Sequence, residues 1–269
     1  MTDPGLALLT SAVKNSEKVA NTPIFATVID KLTGFKLSEW KAHGETIQRQ
    51  IQDGYEEAKK KGLGIQYVSA FRSNTNLINI GTKAAEFIDS TKENEIALGN
   101  DVFWGLLDHS KTISNDEMQN LIAKIIAGEY NVPGTYSMST LQTLKMLGRD
   151  ELELFEKILR VVILGNQIPQ EIFNMGENVK YLMHEIGIDF GSLQTLQSLG
   201  LFHPNEMTRT IDNLSKKDFQ ITYFDKIMFF TPETENYQKI KLPGFFGLSL
   251  VGKQISNHLS PKYSETYYI

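Results

Sequence analysis

The sequence predicts a mainly α-helical protein: a helical bundle followed by a small winged-helix-like α+β region at its C-terminal end. Apolar residues recur at intervals of three and four between positions 94 and 165, which is the period of amphipathic helices. Between Phe219 and Leu242 apolar residues alternate with others, which is the period of β-strands. With 269 residues, 41% of them hydrophobic and 22% charged, the chain is long and apolar enough to bury a core.

Composition excludes several classes of protein. The chain contains no cysteine, which excludes disulfides, thiolate zinc sites and a cysteine nucleophile and indicates a reducing compartment. No apolar run reaches the roughly 18 residues that span a bilayer, and no basic region precedes the first apolar stretch. We therefore expect a cytoplasmic protein without a membrane span. The net charge of −5 gives no general reason to expect nucleic acid as a partner.

Residues 1–68 are predicted to form an N-terminal helical region. Its main element is a long amphipathic helix at 39–61, with Ser38 as N-cap and with Gly62 and Gly64 at its end. The apolar stripe of this helix is narrow, which suits packing against another helix or against a second copy of the chain. The candidate interface residues on this stripe are Trp40, Ile47, Ile51 and Tyr55.

Residues 69–165 are predicted to form a helical core of several helices. The first follows Asn74 and the second spans 94–109; on the first, one apolar face combines Leu77, Ile80, Ala84, Phe87 and Ile88. The next helix has the strongest signal, because Ser114 and Glu117 match a capping box. It then carries apolar residues at helical spacing, Met118, Leu121, Ile122, Ile125 and Ile126, and must stop at the turn 132–134.

Two shorter helices complete this core in the prediction. The first is capped by Ser137 or Ser139 and carries Leu141, Leu144 and Leu147, and we expect Gly148 to close it in the left-handed conformation. The second opens at Asp150 and ends at Gly165, with Leu152, Phe155, Leu159 and Val162 directed inward.

Residues 166–269 are predicted to form the winged-helix-like region. An irregular stretch begins at Pro169, a short helix lies near 177–187, and Asp189 caps the next helix. A strand at 219–229 pairs with a second at 237–242 to form a ribbon, and Ser249 caps a final helix. We expect the aromatic tail, 263–269, to add an edge strand.

A winged helix favours DNA binding as an alternative function. On the predicted recognition helix, Gln194 and Gln197 are suited to contacting an adenine edge, although this helix contains no lysine or arginine. Lys216 and Lys217 are the candidate phosphate contacts near the ribbon. Residues 200–269 carry a sum of charges close to neutral, so we do not favour this alternative.

No catalytic, cofactor or metal-binding motif emerges from the sequence. The five histidines have no i,i+3 or i,i+4 spacing, and no phosphate-binding glycine loop or nucleophile-elbow serine occurs. A hydrolase or nuclease site assembled from dispersed acids has no positive support in the sequence. We expect no cofactor and no metal, and the Gly244–Gly247 segment is predicted to let the chain bend after the ribbon.

One carboxylate stands out, because Glu129 ends an apolar helix just before a proline-glycine turn. Two interpretations are open. In the first, Glu129, Tyr136 and Ser137 form a small polar interaction site. In the second, which we favour, the carboxylate accepts free backbone N–H groups at the start of the next helix.

Two aromatic pairs flank the ribbon, Phe229–Phe230 and Phe245–Phe246. We favour a position in the core for both, because a strand pair packed on helices needs large apolar side chains. If one member of each pair faces outward, the two pairs form a patch for a partner protein.

Seven segments in the middle of the chain together form a recognisable pattern: 76–80, 101–104, 113–119, 122–129, 133–137, 140–141 and 152–155. This pattern resembles a bacterial family known as domain of unknown function 2806, and the resemblance is closest over 70–160. At Met138–Ser139 this chain departs from the family, whose members tend to have a basic residue before Thr-Leu. The resemblance implies a cytosolic, mostly helical bacterial protein; similar helical proteins with winged-helix-like tails occur in abortive-infection systems.

Together these observations predict a non-enzymatic interaction or sensor protein. We expect a protein partner, either a second copy or another chain, that binds through the helix 39–61 or the aromatic ribbon. By fold-level analogy its setting is phage defence.

Overall fold

A computed structural model describes residues 26–30, 46, 49, 53–54, 56–89, 100–174, 184–208, 210–212, 219–230, 239–241 and 244–262. The chain divides into two compact units, Met1–Leu141 and Gln142–Ile269. The described part is mainly helical, as the sequence predicts, and its strands form small two-stranded antiparallel sheets. None of the described helices has both the length and the apolar character needed to cross a membrane. The predicted region boundaries after residues 68 and 165 stay a prediction.

The first unit is built around one buried helix. Its helices are α1 (Gly64–Ala85), α2 (Asp101–Ser110), α3 (Asp116–Asn131) and the start of α4 (Met138–Met146). α1 and α2 both pack against α3. The five apolar positions predicted for α3 are all buried, and its Tyr130 ring lies 5.9 Å from the Phe103 ring of α2.

α1 begins earlier than the sequence indicates. The sequence predicts its start after Asn74, but the helix begins at Gly64. Gly64 therefore does not end the preceding helical residues 56–60, as the sequence analysis expected. Gly62 does end them, with φ of +73°. The described side chains of the first two turns of α1 are exposed, with Ile65 at 88%, so no buried apolar face marks this start. Phe87, expected on the buried face, lies beyond the helix end and is 48% exposed.

Two predicted caps are wrong for local reasons. Asn115, not Ser114, caps α3: its side-chain oxygen accepts the N–H of Met118 at 3.0 Å. The Ser114 hydroxyl instead accepts hydrogen bonds from Arg72 and Asn76 of α1. Gly148 is not left-handed either; with φ of −89° and ψ of −179° it is extended and serves as the N-cap of the following helix.

The second unit combines short helices and strands. Its helices are α5 (Arg149–Leu159), α6 (Glu171–Asn174), α7 (Phe190–Ser198) and α8 (Leu250–Ser256). The predicted caps of α7 and α8 are confirmed: Asp189 accepts the N–H of Ser192, and Ser249 accepts that of Gly252. α5 packs on α7, and an edge-to-face pair, Phe155 and Phe202, lies in the core of this unit.

The strands pair differently from the prediction. They are β1 (Gln167–Pro169), β2 (Thr210–Asp212), β3 (Phe219–Tyr223), β4 (Lys226–Phe230), β5 (Lys239–Lys241) and β6 (Phe245–Gly247). β1 pairs with β6, β2 with β5 and β3 with β4, all antiparallel. The predicted single strand 219–229 is therefore a hairpin. It was missed because its turn, Phe224–Asp225, lacks the glycine or asparagine that usually marks one.

Three smaller expectations in this unit also change. Pro169 belongs to β1, not to an irregular stretch; a two-stranded sheet leaves each strand an outer edge where proline is tolerated. The Gly244–Gly247 segment supplies β6 instead of a bend, and a Cβ at Gly247 would collide with the Met207 side chain. Of the helix near 177–187, residues 184–186 are described and helical, and the tail 263–269 lies outside the described residues.

Candidate functional site

The Glu129 carboxylate is fully buried at the end of α3. One of its oxygens accepts the backbone N–H of Gly134 at 2.6 Å, and the other accepts that of Tyr136 at 2.9 Å. The Asn100 amide also donates to it. All three donors lie in the first unit, so this carboxylate stabilises the connection between α3 and α4 from within.

Asn100 extends this arrangement to α2. Its side-chain oxygen accepts the N–H of Val102 at 2.8 Å and so caps α2, while its amide group donates to Glu129. One buried carboxylate therefore couples the start of α2 to the chain that enters α4. We favoured an interpretation in which the Glu129 carboxylate accepts N–H groups at the start of the next helix. Its backbone donors, Gly134 and Tyr136, instead lie just before α4.

The other two residues of the predicted polar site also make structural contacts. The Ser137 hydroxyl accepts the N–H of Thr140 at 3.2 Å and caps α4. The Tyr136 ring packs closely over Gly128, where a Cβ would meet it. Burial and the nearby Glu129 charge raise the pKa of Tyr136 to about 12, which keeps this phenol neutral at physiological pH.

The residues predicted for nucleic-acid contact are only partly described. Gln194 is exposed on α7, but the Gln197 amide donates to the backbone carbonyl of His203 at 2.8 Å and is thus engaged within the fold. Lys216 and Lys217 lie outside the described residues. So do all four residues of the predicted helical interface, Trp40, Ile47, Ile51 and Tyr55.

Metal-ligating side chains do not gather in the described ranges. Among those residues, no group of three His, Cys, Asp or Glu side chains is placed to hold an ion. Of the four described histidines, His184 and His203 are exposed.

The hairpin of β3 and β4 presents a surface that the sequence analysis assigned to the core. Its outer ribbon face consists of four exposed side chains, those of Gln220, Thr222, Ile227 and Phe229. Ile227 is 48% exposed and Phe229 is 60% exposed. The expectation that Phe229 is a core residue is therefore wrong, whereas Phe246 of the other aromatic pair is buried.

Hydrogen bonds of the described residues attach this hairpin to the rest of the second unit. The Tyr223 hydroxyl donates to the backbone carbonyl of Arg160 at 2.7 Å, and the Leu164 N–H donates to the carbonyl of Thr222 at 2.8 Å. Tyr223 is only 1% exposed. One face of the hairpin is thus fixed by Tyr223 while the outer ribbon face stays open to solvent.

A small cavity lies beside the turn of the hairpin, within the second unit. Its volume is about 240 Å³, and the lining residues come from the end of α5 and the chain after it, from the hairpin, and from α8 with its flanks: Leu159, Val162, Gly165, Thr222, Phe224, Leu248, Ser256 and Pro261. This volume falls below the range of about 300–1,000 Å³ that is usual for small-molecule sites. The outer ribbon face is therefore the stronger candidate.

Comparison with known protein families gives a match over most of the chain. The family described as "Protein of unknown function (DUF2806)" matches residues 66–269. No curated protein and no solved structure matches.

Proposed function

Because the chain belongs to the DUF2806 family of proteins of unknown function, we propose a function from its own surface: it binds another protein chain through the outer ribbon face. The observation that carries this proposal is the exposure of Ile227 and Phe229 side by side on a hairpin that is otherwise anchored. Burying one such side chain is worth about 1.5–3 kcal/mol, so a partner covering both gains substantial free energy.

The turn of the hairpin supports the same conclusion. Phe224 has φ of +52°, a conformation that bulky residues rarely adopt and that glycine or asparagine would adopt with less strain. Its ring packs edge-to-face on Tyr223 at 4.9 Å, yet the residue is 43% exposed. Phe224 therefore adds a third exposed apolar side chain to the hairpin, at its turn.

We assign the second unit the architecture of a winged helix. The element order supports this: α5, β1, α6, α7 and then strands that return to β1 through β6. An isolated β-bridge joins Met207 to Phe245, and further along the same two chain segments β2 pairs with β5. A winged helix has two antiparallel segments of this kind in its wing. In this arrangement the β3–β4 hairpin is an extension of the wing, and the wing is the interaction element.

We propose that this binding takes place in the bacterial cytoplasm, as part of antiviral defence. The absence of cysteine supports a reducing compartment. The assignment to defence rests on an analogy with helical abortive-infection proteins.

Site-specific photo-crosslinking in bacterial cells tests the proposed function. A photoreactive phenylalanine analogue replaces Phe229 in one variant and Leu250, another exposed apolar residue of the second unit, in the control. We expect a discrete protein adduct from position 229 and none from position 250. No adduct at 229, or the same adducts from both positions, would overturn the proposal.

A further inference from the structure

We propose that the partner is a second copy of this chain, which pairs its own β4 with β4 across a two-fold axis at the edge of the outer ribbon face, so that Ile227 and Phe229 of the two copies pack beside each other. This inference rests on the proposed function and names its partner. The pairing would join two hairpins into one four-stranded antiparallel sheet.

The outer edge of β4 carries backbone groups ready for such pairing. Thr222 and Ile227 are opposite each other in the hairpin, and the Thr222 carbonyl points outward, because it accepts the N–H of Leu164. The backbone groups of Ile227 then point outward on the opposite edge, and those of Phe229 do the same one repeat further on. Within the described part of the chain, no backbone group bonds to this edge.

The edge is complementary to itself. With Met228 on the two-fold axis, Ile227 of one copy lies opposite Phe229 of the other, and the reverse pair forms by symmetry. Both outward-pointing residues then form hydrogen-bonded pairs, so each backbone donor on the edge meets an acceptor. On the outer ribbon face, each pair places an aromatic side chain beside a β-branched one, a favourable cross-strand combination.

Charge permits the same pairing. Among the described residues of the hairpin, the charged side chains are those of Asp225 and Lys226, which lie 4.0 Å apart within one copy. In the proposed register the two copies of Lys226 are separated by about 13 Å, beyond the screening length at physiological salt. Free edges are commonly protected by a lysine in mid-strand, whereas here Lys226 opens the strand and apolar side chains occupy the middle.

The size of the contact indicates its strength. Stable interfaces bury about 800 Å² on each partner, and pairing of one short strand buries less than this. We therefore expect a weak dimer that forms reversibly as the protein concentration rises.

Cysteine cross-linking tests the register, since the chain has no cysteine of its own. Ile227→Cys and Phe229→Cys are purified separately, mixed and mildly oxidised. In the proposed register, residue 227 of one copy lies about 5.5 Å from residue 229 of the other, while identical positions are about 8 Å apart. Disulfides need Cα separations below about 7 Å, so we expect at least about fivefold more dimer in the mixture than in either variant alone.

The control pair is Thr222→Cys mixed with Phe229→Cys, whose positions face the same side but lie two strands apart, at about 10 Å. We expect no excess of disulfide in this mixture, and circular dichroism checks that each variant is folded. Equal yields in all samples, or no disulfide in the 227–229 mixture, would overturn self-pairing. If position 229 still photo-crosslinks to a different protein, the proposed function survives that failure; if it gives no adduct, both are wrong.

Discussion

Replacing Glu129 by glutamine should destabilise the first unit by about 3 kcal/mol, since three hydrogen bonds converge on this buried carboxylate. Glutamine keeps one acceptor oxygen. Its amide nitrogen must face a donor, the N–H of either Tyr136 or Gly134, and that buried group is then left unsatisfied at a cost of about 1–3 kcal/mol. The remaining hydrogen bonds also weaken, because bonds to a charged acceptor are roughly twice as strong as neutral ones.

Urea unfolding followed by tryptophan fluorescence measures this loss. Both tryptophans, Trp40 and Trp104, belong to the first unit, so their emission reports on the part of the chain that contains Glu129. A loss of about 3 kcal/mol corresponds to a fall of roughly 10 °C in melting temperature for a unit of this size.

The matched control is Glu117→Gln, an exposed glutamate in the first turn of the same helix. We expect it to change stability by at most about 0.5 kcal/mol. If Glu129→Gln is as stable as the control, the Glu129 carboxylate does not stabilise the connection between α3 and α4. Unchanged stability together with lost partner binding would restore the interpretation of Glu129, Tyr136 and Ser137 as a functional site.

Three further predictions concern other parts of the chain. The pKa of Tyr136 is raised from 10 to about 12, so its neutral form stabilises the folded state fully below pH 10, and this contribution is lost as pH rises toward 12. The difference in urea midpoint between wild type and Tyr136→Phe should therefore shrink between pH 10 and pH 12. A constant difference would contradict this. Gly252→Ala should destabilise the second unit by about 1–3 kcal/mol, since the new Cβ would collide with the Leu201 backbone carbonyl. In the helical control Gly191→Ala, the new Cβ would meet only the exposed Asp189 side chain, at 3.3 Å, so thermal unfolding followed by circular dichroism should change less than in Gly252→Ala. Fluorescence anisotropy with a random DNA duplex at low salt should show no binding at micromolar protein, since α7 carries no cation and the net charge is −5, and a salt-dependent rise would favour the DNA-binding alternative.

The helical core was predictable because its signals are local. On α3 the i, i+3 and i+4 spacing decides which residues are buried, and the caps Asp189 and Ser249 act within one turn of their helices. The start of α1 was not predictable from an apolar face, because the described side chains of its first two turns are exposed. The cap of α3 was displaced by one residue, since Ser114 is engaged by side chains of another helix.

Strand pairing and the candidate site depend on contacts that are distant in sequence. Alternation identifies 219–229 as β-structure, but it continues through the turn at Phe224 and so conceals the hairpin. It also cannot show which alternating face is covered. That is decided by Tyr223, whose hydroxyl bonds to the backbone of Arg160, far away along the chain, and so Phe229 is left on the open side.

Sedimentation velocity across a wide range of protein concentration tests the central claim, that β4 of the hairpin pairs with β4 of a second copy, most directly. The wild type should self-associate reversibly. Ile227→Lys/Phe229→Lys, which sets like charges opposite each other in the proposed register, should stay monomeric. Ile227→Lys/Phe229→Glu, which sets opposite charges there, should regain association. A wild type that is monomeric at every concentration, or two double variants that behave alike, would contradict the account.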